Sequence, residues 1–274
     1  MPRTRISALS LCFVLVAGTA LAQSVIGVLG IADEVRPLEQ QIQNGRAVSV
    51  NGYVFRQGVL HGREVVVGHS GAGKVNAAIV ATLMIGHFKP TAVFFTGTAG
   101  AVDLALRQGD VVIGAAVAQH DAGMLTASGI RRRGLRNAVT GELDPLLVAA
   151  PEALLAAARR AIQQLTLPSI RTPDGDRVPR VTEGVIATGD VFVVDGARRE
   201  DLRSALGAAA VEMEGAAVVQ ACRQFAVPCL VVRSVTDRAD TEASTDYQQW
   251  LAVASRNAAA VVAAIIQRLE PGTR

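Results

Sequence analysis

The sequence predicts an α/β fold: a three-layer α/β/α sandwich around a central mixed, mostly parallel sheet. Three observations carry this expectation. Short apolar runs rich in Val, Ile and Phe alternate with longer stretches of helical spacing, the rhythm of strands joined by crossover helices. Several of those runs end in small or polar residues (Gly, Thr, Asp), where open α/β sheets build their sites. Half of the 274 residues are hydrophobic and 19% are charged, enough apolar surface to cover both faces of a sheet and too much for a disordered chain. The 26 glycines and 10 prolines follow no short period, which excludes a collagen-like or low-complexity chain.

Each element follows in order. Val25–Leu29 is an apolar run closed by Gly30 and predicts a buried strand. Glu34–Gln43 has helical character, with Pro37 expected in its first turn, where the missing N–H is tolerated. Tyr53–Leu60 and Glu64–Gly68 predict strands around the turn His61-Gly62. Lys74–His87 predicts a helix that Lys89-Pro90 ends. Ala92–Phe95 and Asp110–Val117 predict strands, the first running into Thr96-Gly97-Thr98-Ala99-Gly100. Residues 151–165 form an Ala-rich helix, and 129–180 is otherwise the most loop-like stretch, its Arg131-Arg132-Arg133 run read as a solvated face. Val185–Ala187 and Cys229–Ser234 predict strands; Glu212–Phe225 and Tyr247–Leu269 predict helices.

The first 22 residues stand apart. Arg3 and Arg5 precede the apolar stretch Leu9–Gly18, and Ala20-Leu21-Ala22 forms a cleavage site before Gln23. This is the pattern of a secretory signal peptide, too short for a good membrane span, with an uncleaved anchor as the competing reading. Residues 23–274 then form one domain with no linker inside it, periplasmic or secreted and without stable membrane association after cleavage. Losing two of 27 basic residues leaves 25 against 24 acidic ones, so nothing in the charge calls for a nucleic-acid partner. The remaining cysteines, Cys222 and Cys229, lack metal-ligand spacing and read as buried apolar residues, with a disulfide left open.

Gly68–Lys74 matches GxxxxGK between a strand and a helix, but Val75 stands where a phosphate-binding loop needs Ser or Thr for magnesium. The glycines are better read as a tight turn beside a pocket. Four polar segments remain at strand ends: Gly30–Glu34, Gly97–Gly100, Val211–Gly215 and Arg233–Asp240. Individually, Glu212 and Glu214 suit a helix N-terminus and Asp237 suits a cap; together the segments point to a site.

These segments resemble the purine nucleoside phosphorylase/nucleosidase superfamily, and most closely the 5'-methylthioadenosine/S-adenosylhomocysteine nucleosidases. The resemblance spans about Val25 to Leu269 and rests on Val-Glu-Met-Glu-Gly-Ala-Ala (211–217) and Val-Arg-Ser-Val-Thr-Asp-Arg-Ala-Asp (232–240). Ser-Gly-Ala-Gly-Lys-Val (70–75), Thr-Gly-Thr-Ala-Gly (96–100) and Thr-Gly-Asp-Val-Phe (188–192) stand in the expected order. It implies that Asp237 is the acid toward purine N7, and that Glu214 grips the ribose with Met213 beside it. It implies that Phe192 stacks on the base and that Val193 offers a backbone contact. Glu34 would activate water with Arg233 assisting; Thr98, Ala99, Gly100, Glu212 and Ala239 line the same region. Ala72, Leu125, Ser128 and Tyr247 would surround the 5'-substituent. The resemblance also implies an adenine nucleoside substrate and a homodimer, with neither cofactor nor metal.

The chemistry agrees with these residue types. Cleaving an N-glycosidic bond leaves positive charge on the sugar and negative charge on the purine. A protonated carboxyl serves the leaving group, and carboxylates serve the sugar and the water. Asp33 and Glu34 on the first loop should repel phosphate, which favours hydrolysis over phosphorolysis. A phosphorylase and a non-catalytic nucleoside-binding protein are the competing readings.

Overall fold

The computed structural model describes residues 24–127, 129–172 and 175–270, so the predicted signal peptide and Ser128 lie outside the described residues. In chain order the elements are β1 (Ile26–Gly30), α1 (Ala32–Glu39), β2 (Gln43–Val50), β3 (Tyr53–Leu60), β4 (Arg63–His69), α2 (Lys74–Phe88), β5 (Ala92–Ala101) and β6 (Val111–Gln119). There follow β7 (Gly123–Thr126), β8 (Gly129–Arg132), β9 (Val148–Ala149), α3 (Glu152–Ile162), β10 (Ile170–Thr172), β11 (Gly175–Arg177), β12 (Val181–Thr188) and α4 (Gly196–Leu206). The chain closes with β13 (Ala208–Glu212), α5 (Gly215–Gln224), β14 (Cys229–Asp237) and α6 (Ala243–Gln267).

One central sheet runs β13-β12-β6-β14-β5-β1-β4-β3-β2. β1 pairs in parallel with β4 and β5, and β5 with β14; β6 is antiparallel to β14 and parallel to β12. The continuous apolar run of β1 and the small and apolar residues of β5 are buried throughout, as expected of strands covered on both faces. α1, α3 and α6 supply one core cluster, through Leu38, Leu154 and Val262 among others, and α2 and α5 supply the opposite one, through Val80 and Val218. α6 is long and apolar enough to cross a membrane, yet it is mostly buried against this sheet.

The sheet also closes on itself at one end, because β13 pairs with β12 in parallel and with β5 antiparallel, Val211 opposite Gly100. Thr98–Gly100 therefore lie beside Glu212 although they are more than 100 residues apart.

Several element boundaries differ from expectation. α1 begins at Ala32, so Pro37 falls in its second turn and the helix ends soon after, at Glu39. Residues 96–100 are not a loop but the end of β5, and Asp237 is the last residue of β14. Glu212 ends a strand, with α5 starting only at Gly215, because pairing to β5 and β12 outweighs local helical character. β2, α4 and the hairpins β7–β8 and β10–β11 carry too little periodicity to be read beforehand.

Candidate active site

The strand ends converge on a pocket of about 390 Å³. Its walls include Glu34, Ala72, Thr98, Ala99, Gly100, Phe192, Glu212, Met213, Glu214, Asp237 and Tyr247. Ile31, Val211, Thr236, Ser244 and Gln248 complete it.

At the floor, three carboxylates surround one guanidinium. Arg233 on β14 is fully buried; its Nη1 lies 3.6 Å from Glu34 Oε2 and its Nη2 lies 3.3 Å from Glu214 Oε2. Nη2 also donates to Glu212. Among the described residues no other Lys or Arg is within ion-pair distance of these three carboxylates. The guanidinium stacks over Phe95, 4.3 Å from the ring centroid. Gly97 makes this packing possible: a Cβ there would stand 2.0 Å from Arg233 Nη1 and 2.3 Å from Glu34 Oε2.

Glu34 reaches inward from the first turn of α1 and accepts from the Thr98 N–H at 3.0 Å and the Thr98 hydroxyl at 2.5 Å. Burial raises its pKa above the ordinary carboxylate value despite Arg233 and Thr98. Asp33 corrects the sequence reading of this loop: it points outward and pairs with Arg36 at 2.8 Å, so only Glu34 faces the site. Glu214 accepts from the Gly73 N–H at 2.8 Å. Burial and the neighbouring Glu212 charge push its pKa up to about 7, against the pull of Arg233 and Gly73. Glu212 is committed elsewhere: it accepts from Arg233, from the Thr188 hydroxyl, and from the N–H groups of Glu214 and Gly215 that open α5.

Asp237 stands at another edge of the pocket, 1% exposed. Its Oδ2 accepts from the Thr236 hydroxyl at 2.7 Å and its Oδ1 from the Ala239 N–H at 2.9 Å, a bond that holds Ala239 at φ +48°. Burial still raises its pKa, with Asp246 and Asp240 adding to the effect. The arrangement suits a carboxyl that carries a proton opposite carboxylates that carry charge.

The Phosphorylase superfamily profile matches residues 24–267. The chain belongs to that superfamily. Within it, the chain belongs with the 5'-methylthioadenosine/S-adenosylhomocysteine nucleosidases. It is 36% identical to the one from Tolumonas auensis over 89% of this chain and 99% of that one. The Neisseria meningitidis nucleosidase in complex with methylthio-immucillin-A superposes with a TM-score of 0.75 at 32% identity, covering 89% of this chain and 99% of that one. Futalosine hydrolase from Helicobacter pylori superposes with a TM-score of 0.76 at 31% identity, covering 90% of this chain and 99% of that one.

Within this nucleosidase-family pocket, eleven of the residues singled out from the sequence line one cavity. Arg233 lies beneath it and Ala239 behind Asp237, each in contact with a residue of the pocket wall. Val193 faces an adjoining cavity with His120 and Arg132. Leu125 is a correction: it sits on β7 in the short β7–β8 hairpin, 81% exposed and away from the pocket of its own chain. The strands of the hairpin pair only with each other, and Arg132 on β8, which donates to the His120 carbonyl and pairs with Asp201, ties it to the body on the side away from the pocket of its own chain. Ile31 stands inside the Gly30–Glu34 segment without being singled out there, and Ser244 and Gln248 escape the sequence reading because α6 brings them to the pocket by packing, with no local signal to mark them.

Proposed function

We propose that this chain hydrolyses the N-glycosidic bond of adenine nucleosides, 5'-methylthioadenosine, S-adenosylhomocysteine or a related compound, and releases adenine. The observation that carries the reading is the floor of the pocket, where Glu34, Glu212 and Glu214 share the single guanidinium of Arg233. Such a floor attracts a cationic sugar and repels a phosphate dianion.

In this reading the base lies between Phe192 and Asp237, with the Val193 backbone at its edge. Glu214 holds the ribose hydroxyls and Met213 packs beside the ring. As the bond between C1' and N9 breaks, its electron pair passes to the purine, and Asp237 gives its proton to N7. Water adds to C1' and loses a proton to Glu34, which Thr98 and Arg233 hold in place. The products are adenine and the free 5'-substituted ribose. Ala72 and Tyr247 leave room around the 5' position.

The test is adenine release from 5'-methylthioadenosine, S-adenosylhomocysteine, adenosine and futalosine, with and without phosphate, with the sugar product identified. Release that is independent of phosphate and yields the free sugar is expected. A sugar 1-phosphate would make the protein a phosphorylase, and binding without release would make it a carrier.

Export and pairing belong to the same proposal. Cleavage after Ala22 would place the mature enzyme in the periplasm or outside the cell, where it would salvage external nucleosides; N-terminal sequencing of fractionated protein tests this. A homodimer would cover the exposed Met124 and Leu125 of the β7–β8 hairpin, and sedimentation of the mature chain tests that.

A further inference from the structure

Lys74 gives Gly68–Lys74 its likeness to a phosphate-binding loop, and the mechanism above leaves it without a task. Its surroundings explain the motif otherwise. The Lys74 ammonium donates to Asp121 Oδ1 at 2.7 Å and to Gln119 Oε1 at 3.3 Å, both just past or at the end of β6. The Lys74 N–H donates to Asp190 Oδ1 at 2.7 Å, and the Asp190 N–H donates in turn to Asp121 Oδ2 at 2.9 Å. Three hydrogen bonds thus close a ring through the segments that follow β4, β6 and β12. Gln119 extends the ring to α5 through Gln220 at 2.7 Å.

The ring adjoins two functional groups. One residue before Lys74, the Gly73 N–H donates to Glu214 Oε1. Two residues after Asp190, Phe192 forms a wall of the pocket. Gly73 adopts φ +87°, and a Cβ there would meet Asp190 Oδ1 at 3.1 Å, so the turn is shaped to this carboxylate. Lys74 and Asp121 are only 19% and 22% exposed, a setting in which an ion pair holds geometry better than one in water.

We propose that Lys74, Asp121 and Asp190 are positioning residues: their ring fixes the Gly73 N–H on the Glu214 carboxylate and holds the Phe192 wall against the base. The proposal rests on the nucleosidase reading and extends it to residues that touch no substrate.

The titratable and charged groups facing the ring are His120 beside Asp121 and Arg132 on β8; those facing Glu214 are Glu212, Arg233 and Glu34. Burial raises the Asp121 pKa, but the Lys74 and Asp190 bonds overcome it and hold the carboxyl below its usual value, so Asp121 stays charged across the neutral range. Burial lowers the pKa of His120, which keeps it neutral there.

Two variants test the ring. Lys74→Met keeps the aliphatic stem and removes the ammonium. Asp121→Asn offers one acceptor where two are used. Lys74→Arg keeps the charge and serves as the rescue. For each, kcat and KM for 5'-methylthioadenosine are measured across pH, and binding of formycin A, an adenosine analogue whose carbon–carbon glycosidic bond resists cleavage, is measured by calorimetry. With the Glu214 donor loosened, kcat/KM should fall about tenfold, as loss of one hydrogen bond to a charged group implies. The acid limb of the profile should move about half to one pH unit higher, because losing that donor raises the Glu214 pKa. Formycin A should bind more weakly in both variants, and Lys74→Arg should recover most of each effect.

Folded variants with a lowered Tm but unchanged kcat/KM, acid limb and formycin A affinity would overturn the proposal and leave the ring a purely structural tie. Wild type that binds formycin A but releases no adenine would refute the nucleosidase reading, while the calorimetric comparison still decides the ring. Wild type that neither binds nor cleaves would overturn both.

Discussion

Asp237→Asn isolates the proton that the proposed reaction needs most. Asparagine keeps the volume and an acceptor for the Ala239 N–H, now 2.9 Å from Oδ1. Its amide would face the Thr236 hydroxyl, 2.7 Å from Oδ2, and that hydroxyl can turn its proton to the Ala99 carbonyl at 3.3 Å. No buried partner is abandoned, so the fold should stand. Stability at neutral pH should even rise slightly, because the folded protein resists ionising this buried carboxyl. What disappears is the acid. General acid catalysis contributes about 10²–10⁴-fold, or roughly 3–5 kcal/mol of barrier. Adenine release followed by ultraviolet absorbance should show kcat falling by that factor, with KM for 5'-methylthioadenosine little changed. A folded variant with wild-type kcat would refute the assignment of Asp237 as leaving-group acid.

Other predictions follow from the floor of the pocket. Glu34→Gln removes the base but keeps an acceptor for Thr98, so kcat should fall about 10²-fold or more while formycin A still binds; undiminished turnover would move water activation to another group. Gly97→Ala drives a methyl into Arg233 and Glu34, and disruption of that buried pair should cost about 3–5 kcal/mol in urea unfolding; a cost under about 1 kcal/mol would contradict the packing described. The folded pKa of Glu214, about 7, lies above its ordinary 4.5, so the native state binds more protons between those values and stability falls as pH rises through that window. Glu214→Gln should remove a pH-dependent loss on the order of 1–3 kcal/mol between pH 5 and 8 in denaturant titrations; an unaltered pH slope would mean that Glu214 is charged throughout.

The alternation of buried strands with helices and the polar ends of the main strands were legible in the sequence alone, because both are local: buried strands need continuous apolar runs, and turns near ligands need small residues. The sequence therefore exposed the four polar segments that hold Glu34, Glu214 and Asp237, which the family resemblance then singled out, and Val75 was enough to set aside a phosphate-binding loop. Spacing alone does not tell which carboxylate of Asp33-Glu34 faces inward, since the rotation of α1 depends on where Val35 and Leu38 find the core, and only the family resemblance singles out Glu34. Nor was it legible that Glu212 ends a strand, because its partners in β5 and β12 come from distant parts of the chain. Only the closure of the sheet by β13 brings Thr98 and Glu212 to one pocket, and only burial makes the carboxylates around Arg233 compete for one charge. Local sequence encodes which groups are present; the low-dielectric interior that tunes them exists only once the long-range strand pairs have formed.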